Sequence, residues 1–442
     1  MKKEIYLPYF ENKKVTVMGL GLLGRGIGDT GFLASCGADI IVTDKKNEEQ
    51  LASSLEALKD YKNIIYKLGS HDLVDFENRD FILKAAGVPL NSEYIKHAHE
   101  KNVPVYMSAS LLCDIIMKTL PSVVIIGITG TRGKSTTTQM IAHILQNRGK
   151  RVHLGGNVRG VANLPLLEDV NEGDYLILEL DSWQLQGFGD MKISPHIAVF
   201  TSFMDDHMNY YNNDRELYFK DKANIYRNQK DGDVLIASIQ AEREIILYDK
   251  NVSIIIPENK NFDMKLIGIH NQEIARLSYE VATRCGLDEK NIIDGIKTFN
   301  AVTGRLEDMG LFNGVRVFND NNATTGDATI FAIRSIYEKY KVKPIIILGG
   351  TDKGLAIENL EKEIKENTKD HILLAGSGTD RLSLSKEYVF EKLSECVDQA
   401  FKLASGGDII LFSPSFASFS KYFNNEYERN DEFVKLVKTY FK

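Results

Sequence analysis

The chain has 442 residues, of which 43% are hydrophobic and 26% are charged, and its formal net charge at pH 7 is −7. This composition is ordinary for a globular protein, and the length predicts about three domains. The mild negative charge argues against nucleic-acid binding, and no apolar run approaches the ~18 residues that span a bilayer. We therefore expect a cytoplasmic protein without membrane insertion. Widely spaced cysteines predict buried thiols in a reducing compartment: Cys36, Cys113, Cys285 and Cys396.

The first region, residues 1–108, carries a glycine-rich turn between a predicted strand and a predicted helix. The strand Val15–Gly19 runs into glycines at positions 19, 21 and 24, and a second strand, Ala38–Thr43, ends at Asp44. This G-x-G-x-x-G pattern with a following acid is typical of nucleotide-binding βαβ units, although such glycines also serve packing. The pattern predicts a Rossmann-like domain, and taken alone it also fits an NAD-dependent dehydrogenase.

The most informative motif is G-I-T-G-T-R-G-K-S-T at residues 127–136, which lies between a predicted strand and a predicted helix. It has one residue more than the common phosphate-binding loop. Its glycines allow backbone amides to approach a polyphosphate, Lys134 supplies a positive charge, and Ser135 offers a hydroxyl ligand for Mg²⁺. The motif predicts triphosphate binding by a central P-loop domain, residues 109–302, with a mostly parallel sheet.

Three further side chains in the central region are candidates for the same chemistry. Glu179 lies at the end of a predicted strand, where its carboxylate would complete a Mg²⁺ site with Ser135. His207 follows the next predicted strand and either binds a second metal, orients substrate or is ordinary polar surface. Lys222 lies on a predicted helix among charged neighbours, and considered alone it would be a solvated lysine. Two more strands are predicted, at Val234–Ala237 and Val252–Ile256.

The third region, residues 303–442, is predicted to be a C-terminal Rossmann-like α/β domain. Polar loops follow three of its predicted strands, at residues 319–324, 349–354 and 413–418. Asn, Asp and Gly are the residues that ordinary turns prefer. Three such loops in one domain nevertheless predict the rim of a binding site.

Taken together, the motifs resemble those of the Mur ligases over essentially the whole chain. The segments that carry the resemblance are G-I-T-G-T-x-G-K-S-T at 127–136, G-G-N at 155–157, E-L-x-S-x-Q-L at 179–185, D-H-M at 206–208, G-x-H-N at 268–271, R-x-E at 305–307 and S-P-x-x-A-S at 413–418. The resemblance implies a UDP-substrate domain at 1–108, an ATP domain at 109–302 and an amino-acid domain at 303–442.

The resemblance also implies an activity. The chain is most similar to the family members that add D-glutamate to UDP-N-acetylmuramoyl-L-alanine in peptidoglycan precursor synthesis. ATP would phosphorylate the substrate carboxylate, and the amine of D-glutamate would attack the acyl phosphate. We expect a monomeric, ATP-dependent ligase with two Mg²⁺ ions and small-molecule substrates. Alternatives are a related ligase for another amino acid, such as L-glutamate, and a regulatory ATPase that no longer ligates.

By the same resemblance, the expected ATP-binding residues are Gly130, Thr131, Gly133, Lys134, Ser135, Thr136, Asn271 and Asp320. The expected metal ligands are Ser135, Glu179, His207 and a carbamylated Lys222. Residues expected to contact the other substrates are Leu22, Leu23 and Asp44 at the uridine nucleotide, Asn157 near the reacting carboxylate, and Thr324, Lys353 and Ser418 at the incoming glutamate. The expected catalytic residues are Lys134, His207, Lys222 and Arg305, the last at the γ-phosphate.

The chain departs from the family pattern at several positions. Arg132 replaces the usual asparagine of the phosphate loop, and Asn322 stands where the family has lysine. Gly304 replaces a histidine, and Ile274 replaces an asparagine. The segment 421–428 is one residue longer than usual. Two of these departures fall in the third region, so the identity of the added amino acid is the least constrained part of the prediction.

Overall fold

A computed structural model of the chain describes residues 1–21, 24–418, 423 and 425–440. The described chain divides into two compact units. The first unit contains residues 1–260 and 274–295, and the second contains residues 261–273 and 296–442. The first unit holds two sheets and the second unit holds one. The predicted boundaries at 108 and 302 stay a proposal.

The first sheet has five parallel strands in the order β3-β2-β1-β4-β5. Its strands are β1 Lys14–Met18, β2 Asp39–Asp44, β3 Ile64–Leu68, β4 Phe81–Lys84 and β5 Val105–Tyr106. The helices of this region are α1 Lys3–Tyr6, α2 Arg25–Ser35, α3 Ala52–Leu58, α4 Glu93–Glu100 and α5 Ser108–Thr119, with short 3₁₀ turns at Leu7–Tyr9 and Leu73–Phe76. The βαβ pattern predicted around the glycine-rich turn is therefore present.

The second sheet also has five parallel strands, in the order β10-β9-β6-β8-β7. They are β6 Val124–Thr129, β7 Val152–Gly156, β8 Tyr175–Glu179, β9 Ile197–Phe200 and β10 Val234–Ala237. The helices are α6 Lys134–Gln146, α7 Leu166–Asp169, α8 Ser182–Met191, α9 Arg215–Ala223 and α10 Ile239–Tyr248. Strand β7 was not predicted from the sequence.

The predicted strand at Val252–Ile256 is wrong. This segment makes one isolated parallel bridge, between Ile255 and Ile236 of β10, and no ladder. Pro257 follows directly, and a proline has no amide hydrogen to continue a ladder.

The sheet of the second unit has six strands in the order β11-β12-β16-β13-β14-β15, with β11 antiparallel to β12 and the other pairs parallel. They are β11 Glu307–Phe312, β12 Val315–Asn319, β13 Ile345–Gly349, β14 Asp370–Leu374, β15 Val389–Phe390 and β16 Ile409–Phe412. The remaining helices are α11 Ile269–Arg284, α12 Glu289–Thr298, α13 Gly326–Tyr340, α14 Glu358–Asn367, α15 Ser377–Arg381, α16 Leu393–Leu403 and α17 Glu426–Lys438.

Burial on both sheet faces explains why the strand sequences are almost continuously apolar. Along β13, Ile345 and Ile347 pack in one core cluster, whereas Ile346 and Leu348 pack in another. Successive side chains of a strand point to opposite faces, so both faces of this sheet are covered. In the first unit, one core cluster joins the two sheets, since it contains Val15 and Ile40 together with Ile125 and Leu178.

The cysteines and the helices test two predictions from composition. All four cysteines are free; Cys36, Cys113 and Cys396 are buried as expected, whereas Cys285 is only partly buried. Within the described residues, no helix is both long enough and apolar enough to cross a bilayer.

Candidate active site

The phosphate loop joins β6 to α6 and depends on glycine for its shape. Gly130 has a φ of 146°, and a Cβ atom at this position would lie 2.1 Å from Oγ1 of Thr201. Gly133 has a φ of 86° immediately before α6 begins. Only glycine combines a positive φ without strain with such a close approach to a neighbouring side chain. The strand-loop-helix context predicted for the motif is therefore present.

Two amides of the loop are already engaged by the protein. The amide of Thr131 donates to the carbonyl of Ser202 at 2.8 Å, and the amide of Arg132 donates to the Ser202 hydroxyl at 2.9 Å. The first four amides of a helix have no acceptor within that helix. The amides that bind phosphate would thus be those at the start of α6, near Lys134. Thr131 would instead help to hold the loop in its conformation. The Arg132 side chain is exposed to solvent.

Two lysines converge on one carbonyl of this loop. Lys134 Nζ donates to the carbonyl of Gly130 at 2.9 Å and to that of Thr131 at 3.4 Å. Lys222 Nζ, from α9, donates to the same Gly130 carbonyl at 3.0 Å. Residues 88 positions apart in sequence thus bring two amino groups to the point where a terminal phosphate is predicted to lie.

Lys222 is buried, with 2% of its surface exposed, which excludes its interpretation as a solvated lysine. Burial lowers the pKa of its ammonium group well below the ordinary value, and the positive charge of Lys134 acts in the same direction. The carboxylates of Asp181 and Asp206 oppose this shift. A lysine in such surroundings is readily neutral, and a neutral amine is the form that reacts with CO₂.

Glu179 and Ser135 occupy the positions that the predicted Mg²⁺ site requires. Glu179 is the last residue of β8 and is 6% exposed, and Ser135 lies in the first turn of α6. The Glu179 carboxylate has no hydrogen-bond or ion-pair partner within the part of the chain that the structure describes. A buried carboxylate of this kind favours a cation.

The oxygen donors fit Mg²⁺ rather than a metal held by the protein alone. Among the described residues there is no cluster of three or more His, Cys, Asp or Glu side chains suited to a metal ion. Magnesium commonly uses one or two protein oxygens and takes its other ligands from phosphates and water. Glu179 and Ser135 match this requirement.

His207 lies in the loop after β9, with a left-handed φ of 55° and a side chain that is 45% exposed. Its ring centroid is 4.8 Å from that of Trp183. Partial burial lowers the pKa of its imidazole, and the charges of Lys222 and Lys134 act in the same direction. His207 therefore lies within electrostatic reach of both lysines, and its metal role stays a prediction.

Asp44 accepts hydrogen bonds from backbone amides around the glycine-rich turn, and its expected contact with the uridine nucleotide stays a prediction. One carboxylate oxygen accepts hydrogen bonds from the amides of Leu20 at 2.9 Å and Gly21 at 3.4 Å, and the other accepts from the amide of Lys46 at 2.9 Å. The side chain thus holds the glycine-rich turn in place. It also lines a cavity of about 500 Å³ at the carboxyl ends of the first sheet. The predicted contacts at positions 22 and 23, Leu22 and Leu23, lie outside the described residues.

Asn157 follows β7 and faces the glycine-rich turn of the first sheet. The backbone N–H of Asn157 donates to the backbone carbonyl of Glu179 at 2.7 Å. The side-chain oxygen of Asn157 accepts from Arg25 Nη1 at 2.5 Å. Neither Arg25 nor the buried Lys84 was predicted as a site residue. Arg25 directly follows the third glycine of the G-x-G-x-x-G pattern, and this position next to the motif is the sequence feature that could have identified it.

In the second unit, Asp320 lies in a hydrogen-bonded pocket at the end of β12. Its carboxylate accepts from the amide of Leu306 at 3.0 Å and from the hydroxyl of Ser413 at 3.0 Å. Burial raises the pKa of Asp320 from its ordinary value of 3.8 to about 7, although both hydrogen bonds act in the opposite direction. Arg305 is exposed, and the Asn271 side chain donates to the carbonyl of Ile267 at 2.7 Å. The nucleotide roles of these residues stay predictions.

The residues predicted to bind the incoming glutamate lie on loops at the carboxyl ends of the strands of the third sheet. Lys353 Nζ, which is exposed, donates to Oγ1 of Thr324 at 2.8 Å. Ser418 is 3% exposed, and its hydroxyl has no hydrogen-bond partner among the described residues. A lysine and two hydroxyls of this kind suit a carboxylate ligand.

The departures from the family pattern occupy ordered positions. The amide of Asn322 donates to the carbonyl of Gly304 at 2.9 Å, and the Asn322 side chain accepts from Asn321 at 3.0 Å. Gly304 has a φ of 75°, which glycine adopts without strain. Ile274 is buried. Within the segment 421–428, positions 421, 422 and 424 lie outside the described residues.

The raised pKa of Asp320 predicts a specific pH dependence of stability. A folded protein that holds a proton which the unfolded chain has released loses stability as pH rises, here between about pH 4 and 7. We expect Asp320→Asn to remove this loss and to raise the free energy of unfolding at pH 8 by up to about 4 kcal/mol, because the pKa rises from 3.8 to about 7 and each pKa unit corresponds to ~1.4 kcal/mol. Urea unfolding at pH 5 and pH 8 measures it. An identical pH dependence in both proteins would contradict the assignment.

Comparison with known proteins agrees with this geometry. Residues 128–265 match the model of the Mur ligase middle domain. A UDP-N-acetylmuramoylalanine–D-glutamate ligase of Borreliella afzelii is 34% identical over 98% of this chain and 99% of its own length. The chain belongs to the Mur ligase family. A ligase of the same name from Streptococcus mutans is 32% identical to this Mur ligase over 97% of the chain and 98% of its own length.

Solved Mur ligase structures show the same fold. UDP-N-acetylmuramate–alanine ligase MurC from Thermotoga maritima covers 97% of this chain, with a TM-score of 0.62 and 19% identity. MurF ligase from Thermotoga maritima in complex with ADP covers 91% of this chain, with a TM-score of 0.60 and 14% identity. The predicted α/β architecture with three sheets is confirmed.

Membership of the Mur ligase family establishes the reaction class. This Mur ligase is an ATP-dependent, ADP-forming amide ligase. The alternative of an NAD-dependent dehydrogenase is wrong. Asp44, the acid of the pattern that suggested NAD, accepts hydrogen bonds from nearby backbone amides with both carboxylate oxygens. In this chain the acid therefore stabilises the conformation of the turn.

Proposed function

We propose that this Mur ligase adds D-glutamate to UDP-N-acetylmuramoyl-L-alanine in peptidoglycan precursor synthesis. The observation that carries the proposal is the relative of that name, which is 34% identical over nearly the full length of both chains. We further propose that the enzyme acts as a monomer on small-molecule substrates. Its need for ATP favours the cytoplasm.

The amino groups at the phosphate loop support the first chemical step. Lys134 and the amides at the start of α6 would hold the β- and γ-phosphates. The γ-phosphoryl group passes from ATP to the alanyl carboxylate oxygen, and ADP leaves. Charge neutralisation and positioning supply most of the catalysis in such a transfer. Lys134 therefore has a large expected catalytic effect.

The metal ions would be held by side chains of the same unit. Ser135 and Glu179 would hold one Mg²⁺, and His207 with a carbamylated Lys222 would hold a second. When bound, Mg²⁺ neutralises charge on the phosphate oxygens. Carbamylation joins the neutral Lys222 amine to CO₂ with release of one proton, which replaces a cation by an anionic oxygen donor. The buried, pKa-lowered Lys222 supports this modification.

The loops of the second unit would bind the incoming amino acid. Lys353, Thr324 and Ser418 would donate hydrogen bonds to its carboxylates, and its amine would attack the acyl phosphate to form the amide and release phosphate. The buried hydroxyl of Ser418, which has no hydrogen-bond partner among the described residues, supports this role, because an unsatisfied buried donor costs stability unless a ligand accepts from it.

The proposed function is tested by measuring ADP and amide product with each substrate omitted in turn. We expect product only when ATP, UDP-N-acetylmuramoyl-L-alanine and D-glutamate are all present. Competition between D- and L-glutamate tests the choice of enantiomer. ATP hydrolysis that is independent of both acceptors, without amide product, would instead favour the regulatory ATPase suggested by Asn322.

Lys353→Ala tests the amino-acid site. We expect KM for D-glutamate to rise by at least about tenfold, because a charge-assisted hydrogen bond to a carboxylate contributes roughly 1.5–3 kcal/mol. KM for ATP should change little. Steady-state kinetics with each substrate varied measure the effect, and Lys365→Ala, on α14, is a surface control in the same unit. An equal rise in both KM values would argue against a specific glutamate contact.

A further inference from the structure

Helix α17 of the second unit carries an arginine whose side chain is fully buried. Arg429 is 0% exposed, and it is one of the largest side chains that the described part of the chain buries completely. Moving a guanidinium group out of water costs free energy, and hydrogen bonds to the protein have to offset that cost. The contacts of Arg429 therefore indicate why the fold keeps a cation at this position.

The guanidinium group of Arg429 joins two loops at the carboxyl ends of the third sheet. Nε donates to Oδ1 of Asn321 at 2.8 Å, and Nη2 donates to the backbone carbonyl of Asn321 at 3.0 Å. Nη1 donates to the backbone carbonyl of Phe416 at 3.3 Å. Asn321 lies in the loop after β12, and Phe416 lies in the loop after β16. The planar, rigid fork of donors therefore sets the spacing of the two loops.

The charge of Arg429 strengthens these hydrogen bonds. The acceptors that the described residues offer to its guanidinium group are neutral oxygens. Burial lowers the pKa of the group to about 10, and the carboxylate of Glu426 on the same helix opposes this shift, so the group is charged at neutral pH. Its central carbon lies 6.0 Å from the ring centroid of Phe412, where an aromatic face attracts a cation. Hydrogen bonds from a charged donor are stronger than those from a neutral one, so the two loops are held firmly.

The two loops also carry hydroxyl groups that are predicted to bind the incoming amino acid. Thr324 lies three residues after Asn321, and Ser418 lies two residues after Phe416. The Ser418 hydroxyl is buried and has no hydrogen-bond partner among the described residues. Arg429 thus holds each loop close to the hydroxyl group that the loop presents.

The loop after β16 depends on contacts with the rest of the unit for its conformation. Ser415 has a φ of 64°, a left-handed conformation that costs free energy for a residue with a side chain. Its amide donates to the carbonyl of Ala323 at 2.8 Å, and its hydroxyl donates to Oγ1 of Thr329 at 2.7 Å. Such a conformation persists where the surrounding structure holds it in place. The bond from Arg429 to Phe416, the next residue, adds to this support.

We infer that Arg429 is a positioning residue of the amino-acid site, which holds the loops after β12 and β16 at the spacing that lets Thr324 and Ser418 bind one glutamate molecule together. Arg429 acts through these two residues, because its own donors are directed to protein oxygens. The inference rests on the proposed function, since that function assigns both hydroxyl groups to the incoming amino acid. Loss of the bridge is therefore expected to weaken amino-acid binding and to leave the chemical steps unchanged once the site is filled.

Steady-state kinetics on the full chain, with each substrate varied in turn, test the inference. We expect Arg429→Lys to raise KM for D-glutamate by about tenfold and to change kcat and KM for ATP by less than about twofold, since lysine keeps the charge but loses the fork. Asn321→Ala breaks the same contact from the other side and should raise KM for D-glutamate by about threefold or more. The double variant should show no larger rise than Arg429→Lys alone, because the two substitutions are not independent. Arg316→Lys, at a partly exposed arginine of β12 that pairs with Asp308, is the matched control and should leave KM unchanged.

An unchanged KM for D-glutamate in folded Arg429→Lys protein would overturn the inference. A merely structural role would lower kcat in proportion to the folded fraction and leave KM unchanged, so a fall in kcat alone also counts against it. Thermal unfolding establishes that each variant is folded, and if Arg429→Lys does not fold, Asn321→Ala decides by the same KM criterion. The proposed function can fail separately. A wild-type enzyme that forms no amide with D-glutamate, but whose KM for another amino acid rises in Arg429→Lys, would refute the substrate assignment and retain the positioning role.

Discussion

The substitution Lys134→Ala is expected to lower the rate of amide formation by about 10²–10³-fold while leaving the fold intact. The Lys134 ammonium group donates to the loop carbonyls of Gly130 and Thr131, and it can turn from them toward a phosphate. Its removal would take away positive charge where negative charge develops on the transferring phosphoryl group. The loop itself would keep its shape, because glycine conformations and the contacts with Ser202 determine it.

The measurement is product formation at saturating ATP, with thermal unfolding as the test of the fold. Lys118→Ala is a suitable control, because Lys118 is an exposed residue of α5 that pairs with Asp114. We expect the control to retain full turnover. Substantial turnover by Lys134→Ala would show that the loop lysine is not part of the catalytic machinery.

Lys222→Ala is expected to abolish most activity, and small carboxylic acids such as acetate should restore part of it. The structural reason is the burial of the amine, which is 2% exposed, beside the Gly130 carbonyl. If a carbamate is the functional form, an added carboxylate can occupy the space left by the shortened side chain and supply similar oxygen donors. We expect an initial loss of about 10²-fold or more, comparable with the removal of another preorganised charge.

The control for this prediction lies on the same helix. Lys220 is two residues away on α9, is exposed and pairs with Glu216, so Lys220→Ala changes the same residue type without touching the loop. It should retain activity and show no response to acetate. A Lys222→Ala variant that acetate fails to rescue would refute the carbamate role, whereas the ligase function would then still rest on the omission experiment.

The local chemistry of the phosphate loop could be predicted from the sequence because its residues are contiguous. Gly130, Gly133 and Lys134 are brought together by a strand, a turn and a helix that adjoin in the chain. The acid at the end of β8 could be predicted for a similar reason, since parallel strands present their carboxyl ends at one edge of the sheet. The missed strand β7 carries two glycines, Gly155 and Gly156, which weaken the strand pattern.

The sequence by itself determined the fold class, the phosphate loop and the family of this protein, because strand periodicity and glycine spacing are local properties of the chain. The tertiary structure decided which distant residues share a site. It buried Lys222 against Gly130, turned Asp44 toward the backbone of its own region, and joined Arg25 to Asn157. These contacts link residues far apart in sequence, and burial, which changes charge and hydrogen-bonding demands, arises only when those segments pack together.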